Sequence, residues 1–162
     1  MSPKSLLRHP DAQSNLSEIE TGTSFAAIYP DSSPTIIAPE AVKKVVICSG
    51  KVYYDLIAER RERKLDELIA IVRIEQICPF PYHLVAKEIS RFPIAKIMWV
   101  QEEHQNQGAY YYVRDRIALA LGLPIEEIRY GGRAPSAAPA TGSKMIHQQE
   151  VKDFVNTAMS IE

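Results

Sequence analysis

The sequence is poor in cysteine, in long apolar runs and in blocks of like charge, and each shortage closes off a class of protein. Cys48 and Cys78 are the only cysteines in 162 residues. They lack CxxC spacing and lie beside apolar runs, so they read as two buried free thiols in a reducing compartment. No stretch reaches the roughly 18 apolar residues that a membrane-spanning helix needs. The N-terminus shows neither the apolar core of a secretory signal nor the Arg-rich amphipathic pattern of a transit peptide. A net charge of −1 with dispersed Lys and Arg offers nucleic acid no clustered basic footprint. The GxSxG, GxGxxG and HExxH patterns are absent. His104 and His147 have no metal-ligand spacing with each other or with the cysteines, and a surface or capping role is expected for both.

What is present divides in two. Residues 1–40 are rich in Ser, Thr and Pro (Pro3, Pro10, Pro30, Pro34, Pro39), with scattered apolar side chains and no sustained period. They read as an extended arm, too apolar for pure disorder, that packs on something. Residues 41–162 alternate strand and helix patterns. Val45 to Cys48 is a continuous β-branched apolar run, the mark of a strand covered on both faces. A helix is predicted over Val52 to Lys64, its cationic end (Arg60, Arg61, Arg63, Lys64) matching the negative pole of the helix dipole. Leu68 to Ile74 is a second strand, and Pro81 starts a helix running to about Arg91. Ile94 to Val100 is a third strand. The next helix carries Tyr110, Val113, Ile117 and Leu121 on one stripe and ends at Gly122 and Pro124. Ile125 to Tyr130 is a fourth strand, followed by a Gly/Ala/Pro-rich loop. In the closing helix Val151, Phe154, Val155, Ala158 and Met159 recur at helical spacing. The class is α/β, a three-layer sandwich with a mostly parallel sheet.

In such a sheet the strand ends share one edge, where ligands commonly bind. Ser49, Gly50 and Lys51 follow the first strand and Glu75 the second; Gln101, Glu102 and Glu103 follow the third, and Gly131, Gly132 and Arg133 the fourth. Two readings stay open for Lys51. A cation is disfavoured at a helix N-terminus, while free N–H groups there favour an anion, so Lys51 with Arg133 suits a phosphate or carboxylate. Alternatively Lys51 pairs with Glu75, Glu102 or Glu103 and ties the edge together. Glu102 and Glu103 are neighbours on an extended segment and point apart. Hydrogen bonding to turn amides suits them better than shared acid–base work.

Five stretches, in order along the chain, carry a family resemblance: MSPKSLLRHP (1–10), CSGKVYYDL (48–56), IVRIEQ (71–76), WVQEEHQNQG (99–108) and YGGRAPSAAPATG (130–142). Together they resemble the C-terminal region of the thiamine-dependent 2-oxoglutarate dehydrogenase subunit, the decarboxylating first component of its complex. The 2-oxoadipate relative shares these motifs. The resemblance implies a transketolase C-terminal type fold. It also implies that thiamine diphosphate, magnesium and the catalytic residues belong to upstream domains, with no catalytic, cofactor or metal residue in this chain. Met1 resembles an internal methionine, so the chain is expected to be a piece of a larger subunit, its arm (1–40) belonging to a missing upstream domain.

The implied partners are the remaining domains, a second subunit in a homodimer and a lipoyl-bearing succinyltransferase, with neither nucleic acid nor membrane. The implied location is the mitochondrial matrix in a eukaryote and the cytoplasm in a bacterium. In some relatives this region forms part of an acetyl-coenzyme A site, to which Lys51, Gln107 and Arg133 are the matching polar residues. Regulated relatives often carry two adjacent arginines where this chain has Gly132, Arg133 and Ala134. The function expected is that of a structural or regulatory C-terminal domain without activity of its own. The alternative is a stand-alone module binding a nucleotide or acyl-coenzyme A. Without its neighbour the arm (Leu6, Leu7, Phe25, Ile28) is expected to sit loosely or to fold back over the sheet edge.

Overall fold

The computed structural model describes residues 3–31, 33 and 38–161; Met1, Ser2, Pro34 and the last residue of the expected 41–162 domain lie outside the described residues. Strands β1 (Ile28–Tyr29), β2 (Lys44–Cys48), β3 (Ile69–Ile74), β4 (Lys96–His104) and β5 (Ile128–Arg133) form one sheet in the order β1-β3-β2-β4-β5. Four are parallel, and β1 runs antiparallel on the edge of β3. Helices α1 (Val52–Arg63), α2 (Tyr82–Ile89) and α3 (Tyr110–Leu121) are the crossovers, and α4 (Lys144–Met159) closes the chain.

The apolar run of β2 is continuous because both faces are covered. Val45 and Ile47 point to one layer with Trp99, Val85, Val113 and Ile117, beneath α2 and α3. Val46 and Cys48 point to the other with Leu56, Phe154 and Ala158, beneath α1 and α4. Topology explains the sorting. The chain steps from β2 to β3 in one direction and returns past β2 to β4 and β5 in the other. With right-handed crossovers that reversal places α1 on one face and α2 and α3 on the opposite one. The result is a three-layer α/β sandwich.

Lys44 is buried in the central strand without an ion pair among the described residues. Its Nζ donates to Thr157 O (3.2 Å), Ala158 O (3.4 Å) and Ser160 Oγ (3.5 Å) at the end of α4. The last carbonyls of a helix lack intrahelical partners and carry the negative pole, so the ammonium anchors that end. Burial, with Arg129 and Lys96 nearby, holds its pKa below the ordinary lysine value.

Several boundaries differ from the sequence expectation. The third strand continues past Val100 to His104, with a register irregularity against β5. Ile125–Glu127 is a 3-10 turn, and the fourth parallel strand starts at Ile128 and includes Gly131 and Gly132. Cys48 is buried, but Cys78 is exposed in the turn before Pro79, which corrects the expectation of two buried thiols. Part of the arm joins this sheet. β1 pairs with the end of β3, the N–H groups of Glu75 and Gln76 donate to Ala27 O at 3.0 Å, and buried Asp31 accepts from Ile71 N–H and pairs with Arg60. Ahead of it, Leu7, Leu16, Ile19 and Phe25 stay 71–79% exposed.

Candidate functional site

The point where strand order reverses lies between β2 and β4, and a cavity of about 510 Å³ opens there at the carboxyl edge. Ser49, Gly50 and Lys51 line one side, Trp99, Gln101 and Glu102 the other, and Pro3 of the arm also reaches it. In α/β sheets this crevice is where a ligand is expected. The chemistry available there depends on which polar groups remain free.

Gln101 is not free. It is 3% exposed, and its Oε1 accepts from Trp99 Nε1–H (3.0 Å) and from the N–H of Tyr110 (2.9 Å). Its Nε2 donates to His104 O (3.0 Å) and Gln107 O (2.7 Å). The amide thus binds both sides of the turn joining β4 to α3. That wrap leaves no room at Gly108, where φ is +63° and an added Cβ would sit 3.0 Å from Gln101 Nε2. The polar stretch after Val100 extends the strand because one side chain satisfies the turn's backbone.

Lys51 caps the start of α1 and reaches Asp55 Oδ2 at 2.8 Å and Glu102 Oε1 at 3.7 Å. Burial works against its ammonium, but the bond to Asp55 and the charge of Glu102 outweigh it and hold the pKa above the ordinary lysine value. Asp55, one turn along the helix, is a partner the sequence reading did not name. Glu75 pairs with Arg73 (3.1 Å) and accepts from Gly50 N–H (3.2 Å). Glu103 is exposed, and its carbonyl accepts from Tyr130 OH at 3.3 Å.

Arg133 stands apart from Lys51. It is 6% exposed and donates to Thr141 Oγ1 (2.9 Å), Glu150 Oε2 (2.5 Å) and His147 Nδ1 (2.8 Å). Glu102, Glu103, His104, Arg133, Thr141 and His147 contribute to a second cavity of about 240 Å³. The two carboxylates line both cavities and lie between the two cations. Gln107 Nε2 donates to Ser136 O (3.3 Å) and Ala138 O (2.9 Å), and Asn106 exchanges two hydrogen bonds with Ser136. Together they fasten the Gly/Ala/Pro-rich loop to the β4–α3 turn.

The structure therefore gathers the predicted residues on one edge and engages all but the Glu103 carboxylate with the protein itself; contrary to expectation, neither Glu102 nor Glu103 accepts from a turn amide among the described residues, Glu102 facing Lys51 and Glu103 offering its carbonyl. His104 and His147 are buried and half-buried rather than surface groups, and His104 Nδ1 lies 2.9 Å from Ala134 O. The partners of Arg133 on α4 were overlooked. His147 and Glu150 stand three apart on a helix, hence on one face, and that spacing was the available signal.

The described residues do not fit a diphosphate with its magnesium. The crevice carries carboxylates, its lysine is engaged, and no group of three or more His, Cys, Asp or Glu side chains is placed to hold a metal among them. Nor is any helix among the described residues long and apolar enough to cross a membrane.

A family model described as 2-oxoglutarate dehydrogenase C-terminal matches residues 13–159. Over 160 residues, 99% of this chain, it is 44% identical to the proteins named "2-oxoglutarate dehydrogenase-like, mitochondrial" of Rattus norvegicus and Xenopus laevis. Over the same length it is 42% identical to "2-oxoglutarate dehydrogenase, mitochondrial" of Caenorhabditis elegans. The chain spans 16% of the length of each of these curated relatives. Matched almost from end to end by that model, the chain belongs to the 2-oxoglutarate dehydrogenase C-terminal family.

Proposed function

We propose that this chain is the scaffolding C-terminal lobe of a 2-oxoglutarate dehydrogenase subunit, which in a eukaryote resides in the mitochondrial matrix, in keeping with relatives named as mitochondrial. In this reading the complete subunit decarboxylates 2-oxoglutarate on thiamine diphosphate and magnesium held by upstream domains. It passes the succinyl group to a lipoyl-bearing partner and works as a homodimer. The cofactor supplies the carbanion chemistry, and the protein positions it. Residues 1–40 serve as the linker to the upstream domain, its end around β1 and Asp31 seated on the sheet, and 41–162 as the packing lobe.

One observation carries this reading. The polar side chains at the sheet's carboxyl edge serve the fold: Gln101 binds the turn, Lys51 binds Asp55, and Arg133 binds Glu150. The test is turnover of 2-oxoglutarate by the purified 162-residue chain supplied with thiamine diphosphate and magnesium. No turnover is expected, and sustained decarboxylation would overturn the reading. An acyl-coenzyme A at Lys51, Gln107 and Arg133 is the competing use of this edge. It would have to displace Asp55 from Lys51 and Glu150 from Arg133. Titration with acetyl-coenzyme A while the melting temperature is followed decides the matter, since a ligand at a hundredfold excess over Kd stabilises by about 2.7 kcal/mol.

A further inference from the structure

Helix α4 is anchored unequally at its two ends. Its later turns bury Phe154, Val155, Ala158 and Met159, and Lys44 holds its final carbonyls. In its first turn Lys144, Met145 and Ile146 are exposed, and Ser143 provides no side-chain cap. Beyond half-buried Val151, what ties this end to the sheet is polar: Arg133 on β5 meets His147 and Glu150, and Thr141 in the preceding loop donates to Glu150 at 2.7 Å.

The Arg133–His147 contact has a chemical condition built in. A guanidinium carries only donors and does not lose its proton in proteins. At 2.8 Å from Arg133 Nη2, His147 Nδ1 must be the acceptor, which fixes the neutral ring as the tautomer with hydrogen on Nε2. A doubly protonated ring has no acceptor. Its N–H would oppose an N–H of Arg133 and bring two cations together.

We infer that this contact is an acid-released latch: protonation of His147 breaks its bond to Arg133 and loosens the first turn of α4 beside the cavity, while Glu150 stays bound to Arg133 and Thr141 and holds the second. Histidine is the side chain that ordinarily changes charge between about pH 5 and about pH 8.

The other charged groups facing the ring are Arg133 from β5, Glu150 from α4, and Glu102, Glu103 and His104 from β4, all on or beside the same cavity. Glu150 does not switch in that window. The Thr141 hydroxyl and the Arg133 charge hold its pKa below the ordinary 4.5. The His104 Nδ1 donates to the carbonyl of Ala134 at 2.9 Å and takes no part in the Arg133 contact.

Two measurements on the 162-residue chain test the latch. Amide exchange, corrected for intrinsic chemistry, should show protection of residues 147–149, whose N–H groups bond back to the first turn, falling roughly tenfold or more between about pH 8 and about pH 5, as expected for losing one hydrogen bond from a charged donor. Residues 154–159 should stay constant. In His147→Asn, whose Oδ1 can take the place of Nδ1 and does not titrate, the fall should vanish. Equal pH dependence in the variant, or none in the native chain, overturns the latch. The nitrogen-15 spectrum of His147 at neutral pH gives an independent reading: hydrogen on Nε2 is expected, and hydrogen on Nδ1 refutes the inference even if the variant fails to fold.

Discussion

The carboxyl edge of the sheet and the arm before β1 are opposites. The edge is polar, and its side chains answer to backbone and to each other: Gln101 alone joins Trp99, Tyr110, His104 and Gln107. The arm leaves large apolar side chains bare, with Leu7, Leu16, Ile19 and Phe25 facing solvent. A free polar group in a crevice invites a small ligand, whereas exposed apolar groups gathered on one segment mark a protein contact. The difference teaches that the edge leaves little polar capacity over, the buried Nε of Arg133 being a donor without a bond among the described residues, whereas the arm leaves several large apolar groups bare; this suits a part of a larger assembly better than a ligand-binding module.

The sharpest way to break the comparison is Gln101→Ala. It leaves the buried donors of Trp99 and Tyr110 without a partner, and takes one contact from half-buried Gln107 O and one from His104 O, which keeps the N–H of Gln107 at 2.8 Å. At about 1–3 kcal/mol for each group left unsatisfied, and allowing for relaxation, a loss on the order of 4 kcal/mol is expected in urea unfolding. If the edge were instead a ligand site held loosely, the variant would unfold within about 0.5 kcal/mol of the native chain.

How much of this was legible in the sequence depends on whether the signal was local. Val45 to Cys48 and Leu68 to Ile74 read as strands because a sheet covered on both faces needs unbroken apolar runs. The stripe from Val151 to Met159 read as a helix because burial on one side imposes its period. The edge was legible as a place, since topology brings strand ends together, but not as a network. Nothing near Lys44 says that it reaches carbonyls 113 residues away. Nothing near Gln101 says that a polar residue continues the strand. Asp31 lay in a segment whose composition signalled only an arm, although it is buried against Arg60.

Asp31 marks where the two regions meet, so its removal sharpens the boundary between them. Its Oδ2 pairs with Arg60 and takes the N–H of Ile71 on β3 at 2.6 Å, while Oδ1 takes the N–H of Ser33 at 2.9 Å. Asp31→Ala strands Arg60 in the interior with Asp66 as its remaining carboxylate, 3.2 Å away. Breaking a buried pair from one side costs about 3–5 kcal/mol; with Asp66 still present, about 2–3 kcal/mol is expected at the unfolding midpoint, with faster exchange along β1 and β3. A midpoint unchanged by the substitution would move the boundary of the lobe past residue 31.

The smallest expected effect falls on the exposed part of the arm. Ile19, Phe25 and Tyr29 line a cavity of about 590 Å³, and the Ile19 and Phe25 side chains remain mostly in water. A side chain that does not leave water on folding contributes little to stability, so the double change Ile19→Ser and Phe25→Ser should leave the midpoint within about 0.5 kcal/mol. The same change should lower binding of a hydrophobic dye, because it removes much of the apolar surface that the arm presents. The two readouts separate where the energies of such a residue reside. Were the arm's apolar groups part of this lobe's own core, stability would fall and dye binding would rise as the lobe loosened. If they belong to a contact with another domain, stability holds and the dye is lost, which is the outcome that follows from surface left bare by an otherwise satisfied fold.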